Sequence, residues 1–194
     1  MNEAKQYEQT SARENLDVLT RKQLPASIER QLIQIPRDTW SQHPNYFGKA
    51  KFFIDYHNSL KQMSAALVNN LEVMLDSPKP DFTLQEVIHQ GQGFIQTAHH
   101  HHYMEDHFYF PHFRRVEREL GKGIDLLDGD HKSLSNALND VQERISFPNG
   151  QVDPNFSLGY LHERAVKLDN ILKRHLDDEE EIIIPIFLKY ERSY

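Results

Sequence analysis

The stretch His99–Pro111 reads HHHHYMEDHFYFP, with five histidines, two acids and a proline. A second stretch, residues 173–185 (KRHLDDEEEIIIP), aligns with it at an offset of 74 positions. Under that shift His101 falls on His175, Glu105 on Glu179, Asp106 on Glu180 and Pro111 on Pro185. His99, His100, His102 and His107 fall instead on Lys173, Arg174, Leu176 and Glu181, and His112 falls on Ile186. The same offset joins two solitary histidines, His57 and His131. The repeating unit is thus a lone histidine followed by HxxxE. If each half is a helical hairpin, two of them make a four-helix bundle with pseudo-twofold symmetry.

The surrounding sequence supplies the helices. Phe53, Tyr56, Leu60, Met63, Leu67, Leu71 and Met74 keep a three-to-four-residue beat from Ala50 onward. The prolines of DSPKPDF (76–82) end that helix. Thr83-Leu-Gln-Glu86 reads as a capping box opening a second helix, expected to run to about Leu120 and to stop at Gly121-Lys-Gly123. A third helix is expected over 125–146, a break at FPNGQVDPNFS (147–157), and a fourth helix from 157 to about 191. No strand pattern intervenes. The fold class is all-α: an antiparallel up-down bundle over residues 49–194, with residues 1–48 as an N-terminal arm packing on one side. The arm is polar and broken by Pro25, Pro36, Pro44 and Gly48, with one short helix suggested by Leu24, Ile28, Leu32 and Ile35.

Spacing then gives the chemistry. Residues i and i+4 of a helix differ by about 40° in direction and about 6 Å along the axis. His101 and Glu105 therefore share one face, as do His175 and Glu179. With His57 and His131 the set is four imidazoles and two carboxylates. That is too many ligands for one tetrahedral zinc, and there is no thiolate. It fits two metals bridged by both carboxylates. Nitrogen and oxygen ligands favour iron, with manganese or zinc as the other candidates. His99, His100, His102 and His107 point about 100° or more away from the His101 direction and read as ordinary surface residues. His102 and His107 keep the option of serving as an outer donor or as an extra metal contact. His112 returns to the right face but about 16 Å along the axis. His43, His89 and His162 lie outside the repeat. Pro111 and Pro185 read as helix bends, and Trp40 and the tyrosines as packing residues, with Tyr56 and Tyr103 nearest the ligands in sequence.

Composition narrows the field. The chain has 194 residues, a formal net charge of −7 and 38% hydrophobic residues. That suits one domain and lacks the basic stripe of a nucleic-acid binder. No apolar run approaches the ~18 residues of a membrane span, and MNEAKQYEQTSAREN has no signal-peptide core. The absence of cysteine removes disulfides, thiolate sites and cysteine nucleophiles together. A cytoplasmic location is the expectation.

The motifs FxxxH (Phe53–His57), HxxxED…FP (His101–Pro111), DH (Asp130-His131) and HxxxEE…P (His175–Pro185) together resemble the hemerythrin-like, or HHE cation-binding, family. The resemblance spans about residues 50–190. It implies a non-heme di-iron centre, oxo- or hydroxo-bridged, with His57, His101, His131 and His175 as terminal ligands and Glu105 and Glu179 as bridges. Oxygen-carrying hemerythrins place HxxxH on the third helix, whereas here Ser135 stands four residues after His131. The four-histidine, two-glutamate set is more similar to the subgroup containing bacterial iron–sulfur-cluster repair proteins and stress-linked hemerythrin-like proteins. Such a set leaves each iron an open position for dioxygen, nitric oxide, peroxide or hydroxide. Three functions follow as expectations: a binder or sensor of dioxygen or nitric oxide in stress response, a di-iron enzyme acting on peroxide or nitric oxide, and an iron-handling or iron–sulfur repair role. The lack of cysteine argues against a full repair role. The expected partner is a diatomic ligand or peroxide, with no nucleic acid, no membrane and no named protein.

Overall fold

The computed structural model describes residues 14–77, 79–146 and 157–190. The described residues form six α-helices: α1 (Ala26–Glu29), α2 (Lys51–Asp76), α3 (Leu84–Met104), α4 (Phe110–Val116), α5 (Gly121–Ile145) and α6 (Leu158–Tyr190). They contain no strand. None of their helices is long and apolar enough to cross a membrane. The four long helices α2, α3, α5 and α6 make the bundle, with α2 packed on α3 and α6, and α5 packed on α3 and α6.

Two of the helices carry most of their buried residues on one stripe. Phe53, His57, Leu60, Ser64, Leu67 and Leu71 do so on α2, and Ile124, Leu127, His131, Leu134, Leu138, Val141 and Ile145 on α5. The capping box forms: the Glu86 N–H donates to Thr83 Oγ1 at 3.3 Å, and the Thr83 N–H donates to Glu86 Oε2 at 2.7 Å.

The second helix departs from expectation. It does not run unbroken to Leu120. After Met104 it widens into a π-helical turn, Glu105–Tyr109, then resumes as α4. Pro111 has no N–H for an α-helical bond and its ring crowds the carbonyl four residues back, so a wider turn suits this position. The break falls at Glu117 (φ −134°, ψ 76°), and Gly121-Lys-Gly123 opens α5 instead of stopping a helix. Gly123 is held by space. A Cβ there would lie 3.3 Å from Ile182 Cδ1 and 3.4 Å from Ile28 Cγ2. Pro185, the repeat-mate of Pro111, sits buried inside α6 without ending it.

The segment before the bundle is less helical than its apolar period suggests. It contains the single turn α1, a 3-10 segment at Arg37–Gln42 and a π-helical turn at Tyr46–Ala50 that leads into α2. Leu24, Ile28 and Trp40 are buried against Phe53, Phe113 and the Ile182–Leu188 end of α6. The Trp40 indole donates to the Ile35 carbonyl at 2.8 Å. The expected link FPNGQVDPNFS lies, except for Ser157, outside the described residues, as do residues 1–13.

The core has two apolar halves. One holds Leu60, Leu67, Leu71, Ala98, Leu134, Leu138, Leu172 and Leu176. The other holds Phe53, Phe110, Phe113, Leu127, Ile182 and Phe187. On every bundle helix the candidate ligands fall at the junction: His57 between Phe53 and Leu60, His131 between Leu127 and Leu134. A polar layer crosses the bundle between two apolar ones, and burying such a layer is costly unless its groups are satisfied.

Candidate metal centre

The junction layer contains two groups of converging donors. His57 of α2, His101 of α3, Glu105 and Glu179 of α6 each offer an atom within 4.8 Å of the others. His102 of α3, His131 of α5 and His175 of α6 form a second group by the same measure. All seven side chains are buried, and both glutamates are 0% exposed.

The glutamates join the groups. Glu105 Oε1 lies 3.0 Å from His101 Nε2, and its Oε2 lies 3.5 Å from His131 Nε2. Glu179 Oε2 lies 3.5 Å from His57 Nε2 and 3.6 Å from His175 Nε2. Each carboxylate therefore reaches one histidine of each group, which is the placement of a bridge. These are convergent approaches and not aligned hydrogen bonds. Both oxygens of Glu105 and of Glu179, Nε2 of His57 and His101, and both ring nitrogens of His102 have no hydrogen-bond partner among the described residues. Buried polar atoms left this way are rare and costly.

Behind the layer stand carboxylates that fix the histidines. His131 Nδ1 lies 2.7 Å from Asp106 Oδ1, His175 Nδ1 lies 3.2 Å from Asp130 Oδ2, and His57 Nδ1 lies 3.3 Å from Glu180 Oε1. An ionised carboxylate only accepts, so each Nδ1 carries the proton and each Nε2 turns a lone pair inward. The Nε2 atoms of His131 and His175 consequently face each other at 3.2 Å. Two lone pairs at that distance repel unless a cation lies against them.

Burial disfavours charge throughout the layer, so its histidines resist protonation and its two glutamates resist ionisation unless a cation compensates them. It drives His57 down, His102 and His175 well down, and His101 to about 4. Burial pushes Glu105 up to about 8. Burial, with the neighbouring Glu105 charge, pushes Glu179 up to about 8. Burial also pushes Glu180 upward, but His57 and the Lys61 ammonium outweigh it and hold that carboxyl at about 2. The donor set is all nitrogen and oxygen, orphaned, and arranged around two centres. It fits a pair of metal ions.

All six residues expected from the repeat converge here. The seventh, His102, does not fit the expectation of an ordinary surface residue. It is 3% exposed, and its ring stacks on His131 at 4.3 Å. The angular argument failed because α3 faces two neighbours inside the bundle. His101 stacks on Tyr56 of α2 (5.0 Å), whereas His102, about 100° around the helix, meets α5. Both directions point inward.

The remaining histidines stay out of both groups. His100 and His107 are exposed, and His107 Nδ1 approaches the Tyr103 carbonyl at 2.9 Å. His43 accepts from the Asn45 N–H at 3.2 Å. The sequence held a signal for the outer carboxylates, since Asp106 and Glu180 obey the repeat. Asp130 is visible only as the residue before His131.

The family model for the Hemerythrin HHE cation binding domain matches residues 49–187, well over half of the chain and a span holding all seven converging side chains. No curated protein and no solved structure gives a significant match.

Proposed function

Since the chain belongs to the hemerythrin HHE cation-binding domain family, we propose that its buried layer is a non-heme di-iron site that binds a small ligand, dioxygen or nitric oxide. The observation that carries this reading is the pair Glu105 and Glu179. Both are fully buried, and each lies within reach of both histidine groups. An iron pair, when bound, supplies Lewis acidity and two redox-active centres to an entering ligand.

The chain's own residues define who can enter. A cavity of about 150 Å³ opens beside the first group, lined by Phe52, Phe53, Tyr56, His100, His101, Met104 and Tyr109. Its size and aromatic walls suit an uncharged diatomic or peroxide. The first group offers two imidazoles and the second three. The cavity arrives on the two-imidazole side, where an entering ligand would meet fewer protein donors.

The test is anaerobic addition of nitric oxide, and separately of dioxygen, to the ferrous-loaded chain, followed by absorption and EPR spectroscopy. The reading predicts a saturable spectral change with at least one gas. No change with either rejects it. The second reading, turnover of peroxide or nitric oxide, rests on the same cavity. It predicts turnover above free iron that is lost in His101→Ala.

A further inference from the structure

Two arginines from the segment before the bundle reach the carboxylates that orient the histidines. Arg21 is 5% exposed. Its Nη1 donates to Asp130 Oδ1 at 2.7 Å, its Nη2 to Asp130 Oδ2, and its Nε to Asp178 Oδ2 at 2.8 Å. Asp130 Oδ2 in turn faces His175 Nδ1. Arg37 pairs through Nη2 with Glu180 Oε2 and through Nη1 with Glu181 Oε1 at 2.9 Å. Glu180 Oε1 faces His57 Nδ1. Two chains of contact result, Arg21–Asp130–His175 and Arg37–Glu180–His57. One ends in each group of metal donors.

We propose that Arg21 and Arg37 are positioning residues for the metal centre, and that docking of the segment holding them is linked to metal loading. The proposal rests on the metal-site reading above. A planar guanidinium binds both oxygens of a buried carboxylate and fixes its plane. With Asp130 fixed, its remaining acceptor capacity aims the His175 N–H and keeps Nε2 turned toward the site. Without Arg21, Asp130 loses its bidentate partner, and the His175 ring loses its fixed aim. Linkage is reciprocal: whatever factor the docked segment adds to metal affinity, metal adds to docking. The two arginines are unequal. Asp178 is shared with Arg174, but both Asp130 oxygens are held by Arg21. The Arg37 side chain is 47% exposed and Lys61 also holds Glu180, at 3.0 Å. Arg21 carries the larger effect.

The experiment uses the full chain and Co(II), whose ligand-field bands report ligand geometry. Chelator competition gives affinity, and hydrogen exchange over residues 14–42 gives docking. Arg21→Gln is expected to weaken Co(II) binding by about 10- to 100-fold and to shift its bands. Arg37→Gln should weaken it less, and Arg21→Lys should restore it in part. Arg114→Gln, which breaks a surface pairing with Asp125 and Asp128, should change nothing. Metal should slow exchange over 14–42 in the wild type. Unchanged affinity in a folded Arg21→Gln chain overturns the proposal. If both Arg21 variants fail to fold, the wild-type exchange decides, and equal rates with and without metal overturn it. A wild type that takes up no metal overturns the metal-site reading as well. Loading followed by an indifferent Arg21→Gln overturns this inference alone.

Discussion

Asp106 of one hairpin holds His131 of the other, Oδ1 to Nδ1 at 2.7 Å. Its repeat-mate Glu180 holds His57, the repeat-mate of His131. Each half of the molecule thus orients the lone histidine of the other half, through the acid that follows its own buried glutamate. The pseudo-twofold in the sequence is a working symmetry of the site.

This exchange predicts matched phenotypes. Asp106→Asn and Glu180→Gln keep shape but remove the charge that holds the Nδ1 proton. Each should weaken metal binding by about 10- to 100-fold while leaving helical content intact. Chelator competition and circular dichroism check both. Full affinity in either variant would show that the corresponding histidine needs no orientation.

His102 separates a five-histidine site from a four-histidine one. His102→Ala should lower retention of one metal of the pair and change the spectrum of the loaded protein. His89→Ala, on the same helix and exposed, should leave both untouched. Metal analysis after gel filtration of the two variants side by side gives the answer.

The chelated protein should lose stability between about pH 6.5 and pH 8. Glu105 and Glu179 ordinarily titrate near 4.5 and are raised to about 8 in the fold. The folded state then holds protons that the unfolded chain has released. Their stabilisation is full below 4.5 and is lost as pH rises to about 8, at a slope on the order of 1 kcal/mol per pH unit per carboxyl. His101 acts in the opposite sense. Lowered from 6.5 to about 4, it costs stability only as pH falls through that lower window. Metal replaces the glutamate protons, so the loaded protein should not show the slope. Denaturant midpoints at pH 6.5, 7 and 8, with and without chelator, test this, and parallel curves would contradict it.

The cavity beside His101 gives a kinetic prediction. Met104→Trp fills space lined by Met104, Tyr56 and Phe52 without replacing a metal donor. Stopped-flow mixing with nitric oxide should show slower association and unchanged metal content. An unaltered rate would place the entry elsewhere.

Much of this was legible in the sequence because a repeat filters noise. The offset of 74 selects His101 from four consecutive histidines, and the structure brings all six repeat-selected residues together. The limits have physical causes. A single-face reading of α3 misses His102, because the interior arc of a bundle helix is wide enough to meet two neighbours. The helix end near Gly121 was misplaced because glycine is also where helices approach closely, as Gly123 does to Ile182. Asp130 and Arg21 are 109 residues apart, and no local pattern announces a buried pair at that range.

The most direct test of the central claim is the metal content of the folded, monodisperse chain after anaerobic iron reconstitution and desalting, by elemental analysis. The account predicts close to two irons per chain, falling in Glu105→Ala and Glu179→Ala. Well under one metal per chain in the wild type would mean that the buried histidine–glutamate layer is not a metal site, and would contradict it.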